Sequence, residues 1–192
     1  MKIFAFLRAS LSLILFTICL LPIGGCAKYS EEVKANLIKL ETTKSCPDCN
    51  LVGVELIKFD LTGANLARAD LTDSNLNRAN LTEADLTGAN LTNAILTNTI
   101  LVKTKIINTN LNNVKLSYAN INGSEIFNAS FVGAHLNSSK IVNSKISNSD
   151  MTGTNLYKAD LTKTRLTNVT FKDTVFCKTL MPSGLDNSNC KG

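Results

Sequence analysis

At 192 residues, the chain is long enough for one domain of ordinary size. Charged residues make up 18% of it, the formal net charge is +5, and a single histidine is present. These values exclude a metal-rich composition and the strongly charged class of chain. We therefore expect no metal, no other cofactor and no nucleic acid partner.

The first 26 residues have the pattern of an export signal. Lys2 and Arg8 precede a predominantly apolar run from residue 11 to residue 21. This run is shorter than the roughly 20 residues that a membrane-spanning helix needs, but it suits the core of a signal peptide. Residues 1–26 are therefore predicted to direct export.

Residues 23–26, which read Ile-Gly-Gly-Cys, resemble the lipobox of bacterial lipoproteins. The resemblance implies that Cys26 is lipidated and becomes the mature N-terminus. The expected product is a membrane-anchored lipoprotein on the periplasmic or outer-membrane face. Two alternatives remain open. Cleavage after Ala27 would give a soluble periplasmic or secreted protein, and an uncleaved signal would act as an anchor.

Segment 27–48 is predicted to contain a linker and a short capping helix. Ser30 is a favourable N-cap, and Glu31 and Glu32 in the first turn would interact well with the helix dipole. Such a helix could cover the open end of the structure that follows it. Its apolar residues share one helix face, at spacings of four and three: Val33, Leu37 and Leu40.

A large apolar residue returns at every fifth position throughout segment 49–181. Between residues 51 and 181 there are 27 such central positions, and each holds Leu, Ile, Phe or Met. The position two residues earlier is usually small, most often Ala, Ser or Thr. A period of five matches neither the 3.6-residue period of a helix nor the two-residue period of a strand, and instead indicates a repeat architecture.

A turn of the chain in each five-residue unit would point every central residue toward one interior axis. Four units would close a square coil, so 27 units make between six and seven coils. Backbone hydrogen bonds at the usual inter-strand spacing would stack these coils into a rod on the order of 30 Å long. Residues 20 apart would then be neighbours along the rod.

Residues 64–66, 69–71 and 79–81 read Ala-Asn-Leu, Ala-Asp-Leu and Ala-Asn-Leu, and 84–86 and 89–91 continue the pattern. These units resemble the A(D/N)LXX signature of the pentapeptide-repeat family. The resemblance implies an all-β solenoid, a right-handed quadrilateral β-helix. It would occupy residues 49–181, and residues 182–192 would form a C-terminal cap.

Cysteine pairs stand at the two ends of the repeat segment. The Cys-x-x-Cys spacing of the first pair is compatible with a redox pair, half of a zinc site or a disulfide. Zinc needs four ligands around one point, and a thioredoxin-like pair needs a βαβ context. In an exported protein we therefore expect structural disulfides, with thiol redox chemistry at the first pair as the alternative. The expected bonds are Cys46–Cys49 and Cys177–Cys190, and the second pair, around Met181-Pro182, is placed as in exported bacterial pentapeptide-repeat proteins.

The outward residues offer no clear catalytic group. The single histidine, His135, has no nucleophile that spacing alone pairs with it. Asp60, Asp70 and Asp85 precede central residues, where the repeat prefers Asn or Asp, so we interpret them as turn residues. A non-enzymatic structural or protein-interaction module is predicted.

Charge is distributed unevenly along the chain. Residues 101–180 contain ten basic and four acidic side chains, whereas residues 50–100 contain three basic and six acidic ones. The basic half could bind anionic envelope components such as lipid headgroups, lipopolysaccharide or peptidoglycan. The alternative is a charge that only solvates the rod. Some pentapeptide-repeat proteins resemble DNA and protect gyrase through an acidic surface, a pattern that an exported, net basic chain does not match. One predicted column of stacked residues reads Asn65, Asp85, Lys105, Glu125, Lys145, Arg165.

Several apolar residues lie directly before or after a central residue, where side chains should be turned at least partly outward. Two of them are 20 residues apart and would be stacked neighbours. We interpret this group as a possible interface with a protein partner or a second copy of the chain. The alternative is a set of scattered apolar side chains without function. The group comprises Ile95, Ile100, Val102, Ile107 and Phe127.

Overall fold

The computed structural model describes residues 28–188 and residue 190. The predicted export signal and its Cys26 lie outside these residues. Within the described residues, one α-helix, α1 (Glu31–Thr43), precedes the coils, and no helix there is long and apolar enough to cross a membrane. The Ser30 hydroxyl caps α1 by accepting a hydrogen bond from the Val33 N–H at 3.3 Å. The residues that α1 buries are those predicted from the spacing: Val33, Leu37 and Leu40.

The rest of the chain forms a stack of four-sided coils, as predicted. Parallel pairing joins residues 20 apart, from Ser45 paired with Asn65 to Asp160 paired with Leu180. We number the faces in chain order, so that faces 1, 2, 3 and 4 contain residues 65, 70, 75 and 80 and their neighbours 20 apart. The pairing on face 1 confirms the predicted charge column and extends it by one residue to seven coils: Ser45, Asn65, Asp85, Lys105, Glu125, Lys145 and Arg165.

Face 1 contains four of the six three-residue strands among the described residues. These are β1 (Lys105–Ile107), β2 (Glu125–Phe127), β3 (Lys145–Ser147) and β4 (Arg165–Thr167), which form a parallel sheet in that order. Elsewhere the coils are joined mainly by single bridging residues. The first bridge uses Ser45, which lies inside the segment expected to be linker and capping helix.

The central residues fill the interior. All of those from Leu51 to Leu161 are buried, and the four nearest the C-terminal end are partly buried against them. The small residue two positions earlier is buried as well, because it packs beside the central residue inside the coil. Eight of these small residues are Ser or Thr whose hydroxyls donate to a carbonyl of the preceding coil, as Ser124 Oγ does to Leu101 O at 2.6 Å. Interior polar side chains are thereby satisfied.

Each corner requires a left-handed residue two positions after the central one. All 27 such positions from Asp48 to Lys178 have positive φ, and six of them are glycine. Asn and Asp tolerate this conformation better than other non-glycine residues, which explains their frequency there. The Asn or Asp before the central residue has a different role, because its Oδ1 accepts the backbone N–H two residues later, as Asp70 does from Thr72 at 3.0 Å.

The N-terminal segment caps the first coil by pairing with its free backbone groups. Asn36 Nδ2 of α1 donates to Asn50 O on face 2 at 3.1 Å. The Tyr29 hydroxyl accepts the Glu55 N–H on face 3 at 3.1 Å, and Lys44 Nζ donates to the backbone oxygen of Asp60 on face 4. One partner is therefore supplied to each of three faces at the edge that would otherwise be unpaired.

The C-terminal end closes by a reversal of strand direction. Strand β5 (Thr179–Met181) pairs in parallel with Asp160 on one side and antiparallel with β6 (Gly184–Asp186) on the other. The antiparallel strand occupies the position of a further coil on face 4 and ends the parallel ladder there. The Asn187 side chain accepts the Lys178 N–H at 2.9 Å, so the cap also covers the end of face 3.

Candidate functional surfaces

Each face exposes three of its five positions, namely the residue before the central residue and the two residues after it. Because residues 20 apart are paired, each of these positions forms a column along the rod. Any binding property of a face therefore depends on residues that are far apart in the sequence and about 4.8 Å apart between successive coils.

The predicted apolar group is divided among three faces of the rod. Ile95 lies on face 3, Ile100 and Val102 lie on face 4, and Ile107 and Phe127 lie on face 1. Ile100 and Phe127 are each 42% exposed, and the other three are half-buried. Of this group, only Ile107 and Phe127 stack on successive coils, as directly paired neighbours in β1 and β2, whereas Ile100 and Val102 lie within one unit of face 4.

The ion pairs that join two residues of the described coils lie on faces 1 and 4 in the N-terminal half. Arg68 contacts Asp48 in a two-pronged arrangement at 2.6 and 2.7 Å, and the hydrogen bond from Arg68 lowers the pKa of the Asp48 carboxyl. The Asp60 carboxylate accepts a hydrogen bond from the Thr62 hydroxyl at 2.6 Å. This bond, together with the Thr62 N–H and the Lys44 ammonium, lowers the pKa of Asp60 to about 2. Both carboxylates are solvent-exposed. These geometries fit structural turn and corner contacts.

Face 3 has a different electrostatic character. Its one carboxylate among the described residues, Glu55, is bound by Lys28 Nζ at 3.2 Å and by Asn75 Nδ2 at 2.9 Å. None of its basic side chains has a carboxylate within ion-pair distance in the part of the chain that the structure describes. The basic residues are exposed: Lys58, Arg78, Lys115, Lys158 and Lys178.

Apolar and aromatic side chains accompany these cations on face 3. Ile57 is 45% exposed and Tyr118 is 61% exposed. The ammonium of Lys158 lies 5.1 Å from the centre of the Tyr157 ring. Exposed His135, the single histidine, is stacked between Lys115 and Asn155 on the same face. Its paired neighbours are a cation and an amide, side chains that suit a binding surface.

Both cysteine pairs are present as disulfides, Cys46–Cys49 and Cys177–Cys190. The first pair is buried, with Cys46 at the central position of the first coil. Reactive redox cysteines are normally partly exposed, so burial favours a structural role for this pair. No group of residues within 28–188 is arranged to bind a metal ion.

Sequence comparison identifies the repeat. The profile described as "Pentapeptide repeats" matches eight copies, over residues 49–88, 74–113 and 129–173, which is more than half of the chain. The chain belongs to the pentapeptide-repeat family. Proteins of this family fold as right-handed quadrilateral β-helices, as predicted here.

Solved pentapeptide-repeat structures resemble the chain to a limited extent. HetL from Nostoc sp. strain PCC 7120, described as involved in heterocyst differentiation regulation, is 25% identical with a TM-score of 0.36, covering 73% of each chain. A trypsin-treated variant of QnrB1, a plasmid-mediated fluoroquinolone resistance protein, is 17% identical with a TM-score of 0.47, covering 68% of this chain and 81% of its own. Rfr23 from Cyanothece 51142 is 26% identical with a TM-score of 0.27. Coverage there is 73% of this chain and 97% of that protein. No curated protein sequence matches this pentapeptide-repeat protein significantly.

Sequence reasoning recognised the basic half of this protein but missed face 3. The uninterrupted five-residue register, read together with four units per coil, could have shown that Lys58, Arg78, Lys158 and Lys178 share one corner column. What the sequence alone could not show is that Glu55, the one carboxylate of that face among the described residues, is neutralised by Lys28.

Proposed function

We propose that this pentapeptide-repeat protein is an exported, non-enzymatic interaction module that is anchored in the cell envelope by lipid on Cys26. The observation that supports export most strongly is the pair of disulfides, one at each end of the β-helix. Disulfides persist in oxidising compartments, and here they follow a signal-like segment. The lipobox-like residues 23–26 specify the anchor.

Exchange of the proposed lipidated cysteine tests the anchor. Cys26→Ser should move the protein from the membrane fraction to the soluble fraction, and mass spectrometry should find an acylated N-terminal cysteine only in chains that retain Cys26. Cys19→Ser, within the same signal segment, is the matched control and should remain membrane-bound. A wild-type protein that is soluble and begins at Lys28 would show that no lipid anchor exists.

Face 1 is proposed to bind a partner protein. Exposed Phe127 and half-buried Ile107 form an apolar centre on the four-stranded sheet. The column beside them contains three cations and one carboxylate: Lys105, Glu125, Lys145 and Arg165. Neither Lys145 nor Arg165 has an ion-pair partner among the described residues. A partner surface that combines an apolar side chain with carboxylates would complement this arrangement.

A double substitution tests this face. Ile107→Lys with Phe127→Lys should leave the fold intact, because both side chains lie outside the coil, and should abolish capture of the specific partner from solubilised envelopes. The matched control is Thr87→Lys with Thr167→Lys, which adds the same charges to polar positions of the same column. If the wild type, the test variant and the control captured the same proteins, this surface would be ruled out. If sedimentation showed a dimer for the wild type but not for the test variant, the partner on this surface would be a second copy of the chain.

A further inference from the structure

We infer that face 3 lies against the anionic surface of the membrane, so that the rod is held parallel to the bilayer with face 1 directed away from it. This inference deepens the proposed function, because it gives the anchored protein a fixed orientation.

The first described residues after Cys26, Lys28 and Tyr29, are attached to face 3. Lys28 binds the carboxylate of Glu55, and the Tyr29 hydroxyl accepts the Glu55 N–H. The Tyr29 ring packs against the interior of the protein, so this attachment is not a charge contact alone. Two peptide units separate Cys26 from Lys28, which limits the distance between their Cα atoms to about 7 Å. A lipid on Cys26 would therefore originate beside face 3.

The charge of face 3 complements a bilayer that contains anionic lipids. Its basic side chains extend from the first coil to the last, over roughly 30 Å at the spacing of stacked strands. Glu55 is neutralised by Lys28, and no other carboxylate among the described residues lies on this face. Each Lys or Arg near an anionic surface strengthens binding by roughly fivefold.

The uncharged side chains of face 3 suit a membrane surface as well. Tyr118 is 61% exposed and has a left-handed backbone with φ of 61°, a conformation that Gly, Asn or Asp adopts at lower cost. Most of this ring is exposed, so it returns little apolar burial for the cost of a left-handed backbone, and a reason outside the fold would account for its presence. Tyrosine prefers the interface between water and lipid, and exposed Ile57 lies on the same face.

Tryptophan fluorescence can measure this orientation, because the protein contains no tryptophan. Tyr118→Trp places a probe on face 3, and Phe127→Trp places a matched probe on the opposite face 1. The full chain with its own signal is purified and reconstituted in vesicles that contain phosphatidylglycerol. We expect the fluorescence emission of the face 3 probe to shift to shorter wavelength and to be quenched by brominated lipid. The emission of the face 1 probe should keep the wavelength and intensity that it has in detergent-free buffer. Equal quenching of both probes, or stronger quenching on face 1, would overturn the orientation.

Charge removal provides a second test that does not depend on the lipid anchor. In the Cys26→Ser chain, Gln replaces four cations of face 3, namely Arg78, Lys115, Lys158 and Lys178. The matched control replaces four exposed cations of faces 1 and 4 that have no ion-pair partner among the described residues: Lys140, Lys145, Lys163 and Arg165.

We expect affinity for phosphatidylglycerol vesicles to fall at least tenfold in the face 3 variant and less than threefold in the control. Equal losses in both would show that binding follows net charge alone and would overturn the inference. An unlipidated wild type would refute the anchor, while the probes and vesicle affinities would still report on face 3. A lipidated wild type with equal probe quenching would refute the orientation alone.

Discussion

Replacement of one interior leucine by aspartate should unfold the β-helix, whereas the same change at the next residue should not. Leu111 is 1% exposed and lies on face 2 of the middle coils. Loss of a buried leucine side chain costs about 2–5 kcal/mol, and a carboxyl group without a partner in the same cavity adds several more. The total is comparable with the whole free energy of unfolding of an ordinary domain, which is about 5–15 kcal/mol.

The neighbouring position provides the matched control. Asn112 lies outside the coil, where its Oδ1 accepts the Ser130 hydroxyl at 2.6 Å and the Val132 N–H at 3.1 Å. An aspartate at 112 retains an oxygen that can accept both hydrogen bonds, so Asn112→Asp should change the free energy of unfolding by no more than about 0.5 kcal/mol.

Leu111→Ala calibrates the measurement between these two extremes. It should lower Tm by about 4–20 °C, given a loss of about 2–5 kcal/mol and roughly 2–4 °C for each kcal/mol in a domain of this size. Circular dichroism of the oxidised proteins during heating is the assay, and Leu111→Asp should show no cooperative transition. If Leu111→Asp and Asn112→Asp melted at the same temperature, the assignment of interior and exterior positions would be wrong.

Four further predictions concern the caps, a carboxylate and the exposed tyrosine. Tyr29→Phe removes the acceptor for the Glu55 N–H and should cost about 1 kcal/mol in chemical denaturation. The pKa of Asp60 in the folded protein is about 2, below its usual 3.8. Its contribution to stability should therefore be present above pH 4 and be lost as the pH falls toward 2. Asp60→Asn should abolish that pH dependence in acid titrations followed by NMR. Cys177→Ser with Cys190→Ser removes a disulfide between residues 13 apart, whose loop entropy stabilises the folded state by about 3 kcal/mol. Amide exchange should accelerate in the last coil and stay unchanged in the first coils. Tyr118→Asn should raise the free energy of unfolding by about 1 kcal/mol, because Asn tolerates the left-handed backbone. Unchanged or lower stability would remove one argument for a functional tyrosine.

The fold was predictable because its determinant is local. Every unit carries its own central residue and its own corner, so an unbroken five-residue period from Leu51 to Met181 is sufficient to specify coil after coil. The helix α1 was predictable from its N-cap and apolar spacing for the same reason. The repeat begins earlier than expected, with buried Cys46 at a central position. This start was missed because the position does not hold the Leu that marks the later units.

The surfaces were less predictable because they depend on residues 20 apart. Five residues along the chain move a side chain to the next face, so Ile95, Ile100 and Ile107, which are close in the sequence, lie on three different faces. Contacts between the N-terminal segment and the first coil were also hidden, because no periodicity relates Tyr29 to Glu55. The hydrogen bonds of the interior hydroxyls were hidden as well, because their acceptors lie 23 residues earlier in the sequence.

The two proposed binding faces are opposite sides of one stiff body. Faces 1 and 3 are separated by a full side of the coil, and backbone hydrogen bonds between successive coils fix their relation along the whole ladder. A contact on face 3 therefore determines the direction of face 1 without any hinge. Because Lys28 and Tyr29 attach the N-terminal segment to Glu55, only one residue of the mature chain, Ala27, would separate the lipidated cysteine from this stiff body. An anchor this short restricts how far the rod can tilt, so the apolar pair Ile107 and Phe127 would be presented to partners at a defined height above the membrane.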